Sequence, residues 1–133
     1  MAQLDGRVAI VTGGAISIGK AFARTLAAEG ASIAIADVAD GSDAAAEIQK
    51  EFGVTAQAFK VDVSDEHQVS KFVDQVMETF GKIDILVNNA ALFATLPTQP
   101  LTDHSVDLWD KVMAVNVRGL FLMTKHITAH MQT

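Results

Sequence analysis

Between a short apolar run and the first helical stripe the chain reads Thr12-Gly13-Gly14-Ala15-Ile16-Ser17-Ile18-Gly19-Lys20. Glycines in such a junction let backbone N–H groups come close to an anion, because no Cβ holds the ligand away. A helix that starts there adds its dipole, so the chemistry this turn could do is to hold a phosphate or pyrophosphate. A strand-to-helix turn with no ligand uses glycine too, and glycine spacing alone leaves that reading open. Gly14 to Lys20 nearly matches the triphosphate loop G-x-x-x-x-G-K-[ST], but the next residue is Ala21, which lacks the hydroxyl that would ligate magnesium. G-x-G-x-x-G is not matched either. T-G-x-x-x-G-x-G is matched at Thr12, Gly13 and Gly19, with Ser17 where the middle glycine belongs.

A turn of this kind needs a strand before it, a helix after it and a sheet to hold both. Residues 7–11 (RVAIV) form an apolar run between Gly6 and Gly13, the pattern of a buried strand. Residues 18–29 carry Ile18, Phe22 and Leu26 as one helical stripe that stops at Gly30. Residues 31–36 (ASIAIA) are the second strand, ending at Asp37. Ser42 is placed to cap a helix with Ala45, Ile48 and Phe52 on its inner side and Gly53 after it. Residues 54–63 contain a third strand that ends at Asp62. Ser64 is placed to cap the next helix, with Asp65 and Glu66 in its first turn and Val69, Phe72, Val73, Val76, Met77 and Phe80 along its inner face up to Gly81. Residues 83–87 (IDILV) are the fourth strand. A loop over 90–104 holds both prolines, and Ser105 can cap a long last helix through Trp109, Val112, Met113, Leu120 and Phe121. The order βαβαβαβα, with continuous apolar strands, predicts one α/β domain over residues 1–133. Its parallel sheet carries helices on both faces and right-handed crossovers.

Composition narrows the function classes. Of 133 residues half are hydrophobic and a fifth charged, which fits a globular domain. The net charge of −6 repels phosphate backbones, so nucleic acid is excluded as a partner. The absence of cysteine rules out disulfides and thiolate metal sites. No apolar run is long enough to span a bilayer and no signal-peptide pattern precedes the first strand, so a soluble cytoplasmic protein without membrane association is expected. His67, His104, His126 and His130 include one helical pair, His126 and His130, with no acidic ligand nearby in sequence. That pair is read as a solvated face, and no metal is expected. Trp109 and Met113 are read as core or interface packing.

The glycine pattern resembles the short-chain dehydrogenase/reductase family, and the resemblance recurs along the whole chain. Asp37 closes the second strand, Asp62-Val63 the third and Asn88-Asn89-Ala90 the fourth, and Val115-Asn116-Val117 falls in the last helix. The resemblance implies a Rossmann-type fold that ends here after the fourth strand and its following helix. It also implies a dinucleotide held by Thr12, Gly13, Ser17, Ile18, Gly19, Asp37, Asp62, Val63, Asn89 and Ala90, with the backbone N–H of Ile18 towards the pyrophosphate. Asp37 lies 24 positions after Gly13, near the ~20-residue offset of the acid that binds the adenosine ribose. With no arginine beside it and Ile16 in the glycine turn, the cofactor is expected to be NAD and not NADP; the other reading of Asp37 is a cap for the following turn. Asp62 is either an adenine contact or a turn residue before Ser64. Ser17 could crowd the cofactor or add a hydrogen bond to it. Ala91 stands where the family has a glycine, so the backbone beyond Ala90 could differ. Asn116 resembles the asparagine that shapes the family's active site by holding a water behind the catalytic lysine; a surface-facing amide is the alternative.

The family's chemistry is hydride transfer between a nicotinamide and an alcohol or carbonyl carbon, with a serine, a tyrosine and a lysine beyond this helix. Here the last serine is Ser105, the only lysine after Asn116 is Lys125, and there is no tyrosine. The expectation is the cofactor-binding half of an oxidoreductase on small alcohol or carbonyl substrates, inert by itself. A non-catalytic dinucleotide-binding or redox-sensing module and one half of a split enzyme are the alternatives, and the abrupt end at His130-Met131-Gln132-Thr133 favours a truncated form. The family's strand order leaves the fourth strand open on one side, and self-association is therefore expected.

Overall fold

The computed structural model describes residues 2–131, so Gln132 and Thr133 at the abrupt end lie outside the described residues. The four strands are β1 (Val8–Thr12), β2 (Ser32–Asp37), β3 (Ala56–Lys60) and β4 (Ile85–Val87). All pair in parallel, in the order β3-β2-β1-β4. The chain thus builds outwards from β1 to β3 and then returns to lie on the other side of β1. That reversal opens a crevice at the C-terminal ends of β1 and β4, the place where ligands bind in open parallel sheets.

Helices α1 (Ser17–Ala28) and α2 (Ser42–Phe52) cover one face, and α3 (Glu66–Phe80) and the last helix cover the other. Alternate residues of the strands sort between the two layers. Ala9, Val11, Ile33 and Ile35 pack with α1 and α2, whereas Ile10, Ala34 and Ala36 pack with Phe72, Val76, Leu122, Met123 and Ile127.

The stripe expected on α1 is displaced. Its buried face is Gly19, Ala23 and Ala27, while Ile18 and Phe22 are 63% and 44% exposed. Small residues at four-residue spacing let α1 lie close against the sheet, and that closeness decided the face over hydrophobicity. Ser42 and Ser64 are not caps. Gly41 precedes α2, and Asp40 Oδ1 accepts from the N–H and hydroxyl of Ser42. Asp65 caps α3 by accepting from Gln68 N at 3.2 Å. Each serine hydroxyl is drawn instead to an aspartate two residues earlier, a local competition that spacing does not reveal.

Ser105 does cap its helix, accepting from Leu108 N at 3.1 Å. The last helix is not uniform: α4 (Val106–Met113) passes through a π-helical turn at Ala114–Arg118 into α5 (Gly119–Met131). β4 is shorter than the apolar run 83–87, because Asp84 turns to bond Val8 N, and β3 ends before Asp62.

Trp109 and Met113 are not core: Trp109 is 63% exposed, and with Val117 and Phe121 it forms an outward apolar face. His126 is not on a solvated face either. It is half-buried, and its Nε2 meets Glu66 Oε1 at 2.9 Å, beside Lys125 Nζ at 2.7 Å. Among the described residues no group of side chains could hold a metal ion, and no helix is long and apolar enough to cross a membrane.

Candidate dinucleotide site

The glycine turn is fastened to the end of β4 through Thr12. This residue is buried, and its hydroxyl accepts from Asn89 N and Ala90 N, each at 3.0 Å, and donates to Val87 O. Thr12 therefore braces the crevice rather than lining it. The Asn89 side chain completes the latch by donating to Gly13 O at 3.3 Å.

Gly13 has φ +66°, and a Cβ there would meet Asn89 Nδ2 at 2.9 Å. A Cβ on Gly19 would collide with the carbonyl of Gly13 and lie 2.6 Å from the same amide. Both glycines are thus required by close approach within the turn, before any ligand arrives. No side chain caps the N-terminus of α1, so its first N–H groups, those of Ser17, Ile18 and Gly19, are available to an anion.

Ser17 is the one non-glycine residue among those described with positive φ, at +53°. The backbone here keeps the left-handed conformation that suits glycine, although the side chain disfavours it. Ala91, the other residue in a family glycine position, has no such conformation, so the chain beyond Ala90 runs without backbone strain.

Asp37 ends β2 with its carboxylate already oriented. Oδ2 accepts from Ala15 N at 3.1 Å and Oδ1 from Ala39 N at 3.0 Å. It therefore caps the following turn and also borders the glycine turn, and the two readings made from sequence are compatible. Asp62 forms a turn: its Oδ1 accepts from Ser64 N and from the Ser64 hydroxyl. Val63 is buried against Gly119, where an added Cβ would meet Val63 Cγ2 at 2.6 Å. This close crossing sets the last helix against the segment that follows β3.

Asn116 lies in the π turn and is half-buried, not a surface amide. Its Oδ1 accepts from Leu92 N at 2.7 Å, and its Nδ2 donates to Leu92 O at 3.0 Å. Both polar ends of the side chain are used to hold the segment that leaves Ala90. Asn88 donates to Thr124 Oγ1 at 3.3 Å, a second tie between the end of β4 and the last helix.

The sequence reading missed a base next to Asp37. Strand register sets Lys60 opposite it. Asp40, on the same loop, is held below the usual carboxylate range by its hydrogen bonds from the Ser42 hydroxyl and N–H, with a further contribution from the charge of Lys60. Only pairing of β2 with β3 could have revealed this neighbour, because 23 residues separate the two (60 − 37).

Glycines that a Cβ would obstruct, an uncapped helix N-terminus and a carboxylate beyond the turn are features that fit a dinucleotide. Comparison with known proteins identifies the family. The short chain dehydrogenase family model matches residues 7–133. Sorbitol dehydrogenase of Cereibacter sphaeroides is 40% identical over 129 residues, covering 97% of this chain and 48% of that protein. The L-rhamnose 1-dehydrogenase (NADP(+)) of Thermoplasma acidophilum is 38% identical over 133 residues, covering 98% of this chain and 51% of its own length. Among solved structures, NAD+-bound xylitol dehydrogenase superposes with a TM-score of 0.90 at 36% identity, covering 97% of this chain and 49% of that one. The chain spans about half the length of the curated relatives it matches.

Proposed function

The chain belongs to the short chain dehydrogenase family, and from that membership we propose that it binds NAD as part of an oxidoreductase acting on a small alcohol or carbonyl compound. The observation that carries this reading is the latch of Thr12 and Asn89 between the glycine turn and the end of β4. It holds an anion-binding turn open at the point where the strand order reverses. The bound nicotinamide would supply or accept the hydride.

The residues of this chain bind and orient. The N–H groups of Ile18 and Gly19 meet the pyrophosphate, and Gly13 allows its approach. Asp37 accepts from the adenosine ribose and repels a 2′-phosphate, and Asp62 and Val63 border the adenine. Asn89 and Ala90 lie towards the nicotinamide ribose. Asn116 is a positioning residue that fixes the segment after Ala90. With no tyrosine in the sequence, the chain by itself is expected to show no turnover.

The apolar face of Trp109, Val117 and Phe121 is exposed by 53–63% and is the surface through which the chain is expected to self-associate.

Calorimetric titration tests the cofactor assignment. NAD should bind more tightly than NADP, and ADP-ribose should match NAD within the roughly threefold that ~0.6 kcal/mol represents. Equal affinity for NAD and NADP would overturn the choice of NAD, and absence of any nucleotide binding would overturn the whole reading.

A further inference from the structure

We infer that Lys60 is a specificity-determining residue of the adenosine end, a base placed by strand register opposite Asp37 to meet a phosphate at the ribose 2′ position. The inference rests on the reading of the crevice as a dinucleotide site.

Asp37 and Lys60 are register partners at the C-terminal ends of β2 and β3. Parallel neighbours lie about 4.8 Å apart and register partners leave the same face of the sheet. That face is fixed by the pair two residues earlier: Ile35 and Ala58 are partners too, and both pack with the layer of α1 and α2. Lys60 therefore emerges beside the loop that follows Asp37, where it lines a groove with Asp40, Gly41, Ser42 and Ala58. A Cβ on Gly41 would meet Ala58 Cβ at 3.0 Å, so the loop and β3 are in close contact along this groove.

The two charges of the pair are differently engaged. Both carboxylate oxygens of Asp37 accept backbone N–H groups, which fixes them in place. Lys60 is exposed, and its ammonium makes no ion pair among the described residues. A flexible, compact cation next to a fixed carboxylate is suited to pair with a phosphate arriving on a ribose. Asp37 and Asp40 oppose that phosphate, so the chain favours NAD, and Lys60 limits how strongly it does so. The plainer role of Lys60, a charge that blunts the edge strand β3, predicts no effect on nucleotide choice.

NAD and NADP are titrated at low salt into the unmodified chain, Lys60→Gln, Asp37→Ala and the double variant. Lys60→Gln should weaken NADP by about threefold to tenfold, the range of a partly exposed charge-assisted contact, and leave NAD within about twofold. The loss should shrink as salt is raised, and Lys60→Arg should restore NADP binding. In the Asp37→Ala background, where NADP binding is strongest, removal of Lys60 should cancel most of the gain. An NADP-to-NAD ratio that Lys60→Gln leaves unchanged in both backgrounds overturns the inference while the dinucleotide reading stands. Equal weakening of both nucleotides overturns it as well. If neither nucleotide binds the unmodified chain, the reading fails and the inference fails with it.

Discussion

β1 and β4 lie side by side in register, yet they are built to different standards. All five residues of β1 are buried, both of its edges are paired, and it has a helical layer on each face. β4 has three residues, all half-buried, and among the described residues only β1 pairs with it. The same contrast separates the two ends of the crevice. At the glycine turn the close contacts join backbone atoms to the buried Thr12 hydroxyl and the Asn89 amide, so this end of the crevice is tightly held. Beyond Ala90 the segment is held at Leu92 by the side-chain amide of Asn116, and the last helix presents its apolar face outwards. One end of a crevice can thus be held by many short contacts and the other by few, because each is secured by different elements.

The contrast is broken most severely at Gly19. A Gly19→Ala change drives a Cβ into the Gly13 carbonyl and the Asn89 amide, and should cost about 2–4 kcal/mol in denaturant unfolding, with nucleotide binding lost. Gly53→Ala at another helix end, at positive φ but with open space around it, should cost only about 1 kcal/mol. If the two variants unfold at the same denaturant concentration, the glycine turn is not tightly closed.

Thr12→Val keeps the shape and removes the hydroxyl that satisfies Asn89 N and Ala90 N, so it should lower stability by about 1–3 kcal/mol. On the open side, Thr124→Val deletes an exposed partner of Asn88 and should stay within about 0.5 kcal/mol. Comparable losses in the two variants would erase the difference between the ends.

Ser17→Gly sharpens the comparison by relieving the left-handed backbone at φ +53°, and should stabilise the chain by about 1 kcal/mol. It should also tighten NAD if the side chain crowds the pyrophosphate, and loosen it if the hydroxyl donates there. Ala91→Gly, where the backbone is ordinary, should give no stabilisation in the same thermal melt.

The smallest effect is on pH dependence. Burial works against the charge of Asp84, but hydrogen bonds from Val8 N, Arg7 and Lys82 outweigh it and hold its carboxyl below the usual range. A carboxylate depressed in the folded state stabilises fully above its unfolded value, about pH 4. That contribution is lost as pH falls through the lower folded value. The tie between β1 and the start of β4 should therefore weaken only below about pH 4, and Asp84→Asn should flatten that limb of a stability-versus-pH curve.

Much of this molecule was legible in one dimension. The alternation of apolar runs and helical stripes gave the order of elements, and Gly53 and Gly81 marked helix ends where the backbone indeed turns left-handed. The cap at Ser105 stands although Asp103 lies two residues before it: that carboxylate accepts from the Thr102 hydroxyl and leaves the serine free to cap. At Ser42 and Ser64 the aspartate at the same spacing takes the hydroxyl, and the caps moved. The face of α1 was misjudged because helix-to-sheet distance, not hydrophobicity, selected Gly19, Ala23 and Ala27.

The sequence by itself determined the βα repeat, the glycine turn over Gly13 to Gly19 and the acid at the end of β2, because each depends on residues within one turn or one strand. Only the tertiary structure decided what those residues meet. Thr12 became a brace to Asn89 and Ala90, Asn116 a clamp on Leu92, His126 a partner of Glu66, and Lys60 a neighbour of Asp37. These contacts join residues 23 to 78 positions apart, and no local pattern encodes them. They follow from strand order and register, which the collective burial of both sheet faces sets.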